Sequence, residues 1–170
     1  IHVTIEGRGY RLGPLDNIVI PRWLPHAARN PDSTTTVRLH IAMSMSVPER
    51  ELVRREFAHT EMPTDSTGRS GAERVNRFES APRSFGVGPG AEFVDFFNTD
   101  LVPGIEMSGG FARFQPGGRL PAHLHDFDES ICITDGHANC LVEGRRYSLN
   151  GCATAMVPRG RVHYFVNDSS

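Results

Sequence analysis

Two histidines two residues apart, His123 and His125, precede a carboxylate four residues on, Glu129, and a later histidine, His163. These are the side chains whose types and spacing could do chemistry. On a β-strand residues i and i+2 share a face, so His123 and His125 would present two imidazoles side by side. Glu129 is an even step further and could rejoin that face with an oxygen. Neutral imidazole is a common ligand for first-row metals. With His163 returning on a later strand, three nitrogens and one carboxylate oxygen would make an open site for one divalent transition metal. An ion held there with free positions could polarise a carbonyl, activate a water or bind dioxygen. Such donors leave iron, manganese, nickel, zinc and cobalt all open.

The four residues sit inside two longer patterns. Gly117-x5-His123-x-His125-x3-Glu129-x6-Gly136 resembles the first motif of the cupin superfamily with every spacing kept. Pro158-x-Gly160-x2-His163-x3-Asn167 resembles the second. The resemblance covers roughly residues 105 to 170. It implies an all-β fold, a double-stranded β-helix barrel of jelly-roll type, with His123, His125, Glu129 and His163 as the metal ligands. One departure is visible: the glycine usual six residues before the second motif's proline is Cys152, with Gly151 one place early. That position shapes a turn and touches no ligand.

Other side chains could line a pocket beside such a metal. Arg113 lies on the strand leading to Pro116; pointing inward it could take a substrate carboxylate by a two-point hydrogen bond, and a one-residue slip would turn it out. Phe165 and Asn167 are even steps from His163 and could share its face, although an asparagine there more often braces a loop. Asp126 and Asp128 flank the ligands as a solvated rim or as their supports. His2, His40, His59 and His137 lack partners at metal spacing, and surface or structural roles are expected for them. Cys132 and Cys140 flank Gly136 at four residues on either side. A hairpin turning there would set them opposite each other at a Cβ spacing of roughly 4.5–5.5 Å, whereas a disulfide needs about 3.5–4.5 Å. Two free, buried thiols are expected.

Beyond the motifs, residues 3 to 30 lie over residues 140 to 167 at a constant offset of 137 without a gap. Identities include Glu6/Glu143, Gly7/Gly144, Arg8/Arg145, Tyr10/Tyr147, Leu12/Leu149, Pro21/Pro158, Arg22/Arg159, His26/His163 and Asn30/Asn167. A repeat of domain size suggests two tandem barrels, a bicupin. His26 becomes a candidate first-domain metal ligand, although the counterparts of His123 and His125 would fall before Ile1. Trp23 stands where Gly160 stands in the second copy, so a differently shaped turn is expected there. The expected organisation is residues 1–59 as the C-terminal half of a first barrel plus a short helix, 60–80 as linker, and 81–170 as the second, metal-binding barrel. Both barrels would be parts of a longer parent chain. Thr35 to Met43 alternates like a strand. Ser46-x-x-Glu49 with Pro48 resembles a capping box opening a helix from Pro48 to His59. Phe93, Phe96 and Phe97 are expected to pack as core.

Composition bounds the partners. Of 170 residues, 38% are hydrophobic, and 17 glycines with 12 prolines suit many short strands and turns. A net charge of −2 offers no basic footprint for nucleic acid, and no apolar run reaches membrane-spanning length. The three cysteines show no zinc spacing, so a reducing, cytoplasmic setting is the default. All 18 basic residues are arginine, a genome-composition signature of bacterial type that also excludes lysine Schiff-base chemistry from this segment. By resemblance the function is a metal-dependent enzyme acting on a small polar or acidic substrate. Dioxygenase, decarboxylase, isomerase and hydrolase types stay open, an oxidoreductase of dioxygenase type being favoured, and no catalytic residue is assigned. The rival is a non-catalytic binding or sensor module for a sugar or small acid. A homo-oligomer is compatible with either.

Overall fold

The computed structural model describes residues 1–80 and 84–169. Among them every regular element is a β-strand, so the fold is all-β. The chain divides into two compact units, one of residues 1–82 and 95–109, the other of residues 83–94 and 110–170.

The first unit begins with β1 (His2–Ile5), β2 (Arg8–Arg11), β3 (Asn17–Val19) and β4 (His26–Arg29). Strand β1 is central: it pairs antiparallel with β2, Val3 facing Tyr10, and with β4, Ile5 facing His26. Period-2 alternation turns Val3 and Ile5 to one face, where with Tyr10 and Val75 they form the buried core. The polar stretch expected as linker carries β5 (Thr60–Glu61), β6 (Gly68–Arg69) and β7 (Arg74–Asn76). Strand β5 runs parallel to β2, and β7 pairs with β3, Ile18 facing Val75. Two buried ion pairs fasten these additions. Arg77 reaches Asp16 at 2.9 Å, and the fully buried Glu73 accepts from Arg8 at 2.6 and 2.9 Å and from the Tyr10 hydroxyl at 2.6 Å. Polar composition misled because these strands pair with chain some 50 residues away, which local pattern does not report.

Two expected elements are absent. Residues 31–59 hold neither the strand expected over Thr35 to Met43 nor the helix expected over Pro48 to His59. Val37, Leu39, Ile41 and Met43 alternate as read, yet all are exposed, and Leu52 of the expected helix is 87% exposed. Alternation yields a strand only beside an edge that supplies hydrogen bonds. A helix of a dozen residues is marginal without an apolar face to bury.

The second unit holds β8 (Phe85–Gly88), paired with the start of β9 (Ala91–Phe97), whose last three residues fall in the first unit, and then β10 (Gly109–Phe114) from Gly110 on. Next come β11 (Glu129–Cys132), β12 (His137–Val142), β13 (Arg145–Asn150), β14 (Thr154–Val157) and β15 (His163–Val166). Strand β12 lies between β13 and β15, and β11 pairs with β14. Its core is Cys140, Val157 and Phe165, with Phe114, Ile131, Val142 and Leu149 packed against them. The hairpin expected at Gly136 does not form. Cys132 faces Thr154 and Cys140 faces Tyr147 and Phe165, so the two thiols are not cross-strand neighbours. All three cysteines are free, Cys140 buried, Cys132 half-buried and Cys152 exposed. Of the phenylalanines expected in a core, Phe96 is buried and Phe93 packs edge-on against Phe85 at 5.9 Å.

The 137-residue offset recurs in the backbone. Val3 faces Tyr10 and Ala28 as Cys140 faces Tyr147 and Phe165; Ile5 faces Arg8 and His26 as Val142 faces Arg145 and His163. Left-handed residues recur too: Glu6 and Glu143 (φ 46 and 49), Leu15 and Cys152 (62 and 65), Trp23 and Gly160 (65 and 74). Cys152 thus occupies the turn geometry for which glycine is usual. Trp23, contrary to the expectation of a different turn, keeps the left-handed shape of Gly160.

Candidate metal centre

Each ligand candidate is placed by a different device. Gly117, Gly136 and Gly160, the motif glycines, all have φ 74, the left-handed turn conformation that a Cβ would strain. His123 sits on a single bridge rather than in a regular strand, exchanging both backbone hydrogen bonds with His163 at 2.9 and 3.0 Å. His125 lies in the following loop, pinned where Gly160 N–H donates to its carbonyl at 2.8 Å. Glu129 opens β11 and His163 opens β15.

One donor atom from each of His123, His125, Glu129 and His163 lies within 4.8 Å of all the others. Glu129 Oε2 is 2.9 Å from His163 Nε2 and 3.3 Å from His125 Nε2. The Nδ1 atoms face backbone carbonyls: His123 to Pro121 at 2.9 Å, His125 to Phe127 at 2.7 Å, His163 to Arg161 at 2.8 Å. A carbonyl oxygen only accepts, so each Nδ1 carries a hydrogen, which leaves Nε2 as the nitrogen available to a ligand. Three imidazole nitrogens and one carboxylate oxygen gathered within 4.8 Å could hold a metal ion. Hard oxygen with imidazole nitrogen is the donor chemistry of a divalent transition metal, so the residues fit one.

The supports were only partly legible. Phe127 stacks on His125, centroids 4.1 Å apart and planes 1° apart, while its carbonyl takes the Nδ1 hydrogen. An aromatic between two aspartates was the available signal. Asp128 accepts the backbone N–H of Arg159 at 2.9 Å and approaches its guanidinium at 3.4 Å, tying the loop of His125 and Glu129 to the turn before His163. Those hydrogen bonds, backbone first, hold the Asp128 carboxyl below its ordinary range.

The remaining candidates are dispersed. Arg113 is exposed, whereas its neighbour Phe114 packs on the core. Phe165 is buried, edge-on to His163 at 6.4 Å. Asn167 donates to the Phe114 carbonyl at 3.1 Å and accepts from Ser169, so its side chain braces a loop. His26 is exposed, with its Nδ1 on the Leu24 carbonyl at 2.8 Å as His163 is on Arg161. Two of the histidines set aside meet one carboxylate: His2 and His59 both reach Glu61 at 3.2 Å.

Residues 110–170 match the family model described as "Cupin domain", so that segment carries a cupin domain. Similar solved structures include a putative ethanolamine utilization protein Q from Salmonella typhimurium (TM-score 0.49, 19% identity, 61% of this chain and 83% of that one). The Cnp3 cupin domain of Schizosaccharomyces pombe gives TM-score 0.46 at 19% identity, over 56% of this chain and 66% of that one. The polyketide cyclase RemF of Streptomyces resistomycificus gives 0.47 at 17%, over 54% and 68%. No curated protein matches the chain. Among the described residues no helix is long and apolar enough to cross a membrane.

Proposed function

We propose that the chain is part of a metal-dependent cupin enzyme that acts on a small polar or acidic molecule. The observation that carries this is the convergence of three Nε2 lone pairs and one carboxylate within 4.8 Å, each imidazole fixed by an Nδ1 bond to backbone. His123, His125, Glu129 and His163 would hold one divalent transition metal. When bound, that ion supplies Lewis acidity or redox chemistry at positions the protein leaves open. The protein's own part is orientation. The carbonyls of Pro121, Phe127 and Arg161 keep the rings turned inward, the Phe127 ring blocks rotation of His125, and the buried His163 limits water on its side.

The recurrence of register and left-handed turns at the 137-residue offset supports a bicupin parent, with His26 in the place that His163 holds in the second domain. A cytoplasmic location belongs to this reading, and the first domain takes in the strands of residues 60–76. Phe165, edge-on to His163 at 6.4 Å, remains its pocket candidate. Metal analysis of the purified protein, then oxygen-uptake and carbon dioxide-release assays on small carboxylates and phenols, tests it. Metal retention with turnover supports the enzyme. Saturable ligand binding with no turnover on any substrate would favour the binding module instead.

A further inference from the structure

Every backbone N–H from Arg159 to His163, the turn that delivers the last ligand candidate, has an acceptor. Arg159 donates to the Asp128 carboxylate at 2.9 Å, Gly160 to the His125 carbonyl at 2.8 Å, Arg161 to the Pro158 carbonyl at 3.4 Å and His163 to the His123 carbonyl at 2.9 Å. Those four acceptors lie within the two glycine-punctuated motifs. The fifth does not. Val162 N–H donates to the Glu143 carboxylate at 2.8 Å, while Glu143 N–H donates to the Val162 carbonyl at 2.9 Å. Glu143 therefore holds both polar backbone groups of the residue before His163. Strand register brings it there: Val142 faces His163, so the chain leaving β12 turns beside Val162. Glu143 makes that turn at φ 49, with Gly144 following at φ 78. A left-handed conformation is uncommon for a side chain of this size and persists where its surroundings hold it.

The first copy has the same turn with one bond fewer. At the offset of 137, Glu143 corresponds to Glu6 and Val162 to Pro25. Glu6 keeps φ 46, and its N–H donates to the Pro25 carbonyl at 3.0 Å. A proline nitrogen has no hydrogen to give, and the Glu6 carboxylate takes the Arg8 guanidinium at 3.2 Å instead. The backbone bond is common to both copies, and the side-chain bond is particular to the turn of His163. A carboxylate accepting a backbone N–H is a charge-assisted bond, shorter and stronger than a neutral one.

We infer that Glu143 is a positioning residue for the metal centre: its carboxylate, acting through Val162, fixes where His163 presents Nε2. This rests on the metal reading proposed above. Titration of the chelator-stripped chain with Co2+, followed by the visible absorption bands of the bound ion, tests it. Glu143→Ala should weaken Co2+ affinity about tenfold and alter the bands, whereas Glu143→Gln, which keeps an acceptor, should match the unaltered chain. Val162→Pro, which copies the first turn, should reproduce Glu143→Ala, and the double variant should be no worse than either single one. Glu143 is exposed, so the melting temperature of Glu143→Ala should hardly move. Unchanged affinity and bands in Glu143→Ala, no rescue by Glu143→Gln, or additive losses in the double variant would overturn the inference. An unaltered chain that takes up no Co2+ would instead remove the metal reading, and the inference with it.

Discussion

His163 Nε2 lies 2.9 Å from Glu129 Oε2, in a site where His163 has no exposed surface and its Nδ1 is committed to the Arg161 carbonyl. A carboxylate oxygen and a ring nitrogen brought this close inside a protein are well placed to share a bound cation. The centre could hold one metal ion.

The link between Asp128 and Arg159 is a support whose loss should be felt at the ligands. Asp128→Ala removes the acceptor of the Arg159 N–H without touching a ligand atom. Metal affinity should fall about tenfold, as for other partners that orient ligands, with little change in melting temperature because Asp128 and Arg159 are both exposed. Competition against a chelator measures it; unchanged affinity would show that the loop holds its shape alone.

Trp23 is 92% exposed with φ 65, so it carries left-handed strain and returns almost no packing. Trp23→Gly should raise the stability of the first unit by about 1 kcal/mol, the strain relieved being partly offset by the greater backbone entropy of glycine when unfolded. Denaturant unfolding reads this, and a destabilised variant would contradict the turn geometry.

Burial alone would raise the Glu73 carboxyl, but hydrogen bonds from Arg8 and Tyr10 outweigh it and hold the group below its ordinary range. A carboxyl depressed in the folded state adds stability above its unfolded pKa and loses it as the pH falls through the folded value. Asp16 behaves alike: burial opposes, while the N–H groups of Phe78 and Gly13 and the Arg77 side chain prevail. The first unit should thus weaken with acid below about pH 4. Glu73→Gln should cost roughly 3 kcal/mol at neutral pH and flatten that acid limb. An unchanged limb would contradict the assignment.

Burial first, and the Glu129 charge second, push the Cys140 thiol up to about 11. At neutral pH iodoacetamide should label the exposed Cys152 first, and Cys140 only after unfolding. Mass spectrometry of timed digests checks the order; early labelling of Cys140 would show that the core of the second unit opens.

Residue types and spacing brought out the four-residue cluster because metal geometry would restrict both, and two glycine-punctuated motifs fixed the turns around it. The offset of 137 likewise carried from sequence into register, since it rests on many positions at once. What sequence could not show were pairings between distant strands. Thr60–Glu61 and Arg74–Asn76 are polar stretches made into strands by β2 and β3. Ile41 and Leu52 carry the patterns of a strand and a helix, yet no partner covers them. The short span between Cys132 and Cys140 suggested a hairpin, whereas β11 finds its partner in β14, more than twenty residues on.

The central claim is most directly tested by equilibrium dialysis of the chelator-stripped chain against Mn2+ or Co2+, with metal counted by mass spectrometry. The account predicts close to one equivalent per chain, lost in the His123→Ala/His125→Ala double variant and kept in His26→Ala. Metal content unchanged in the double variant would contradict it.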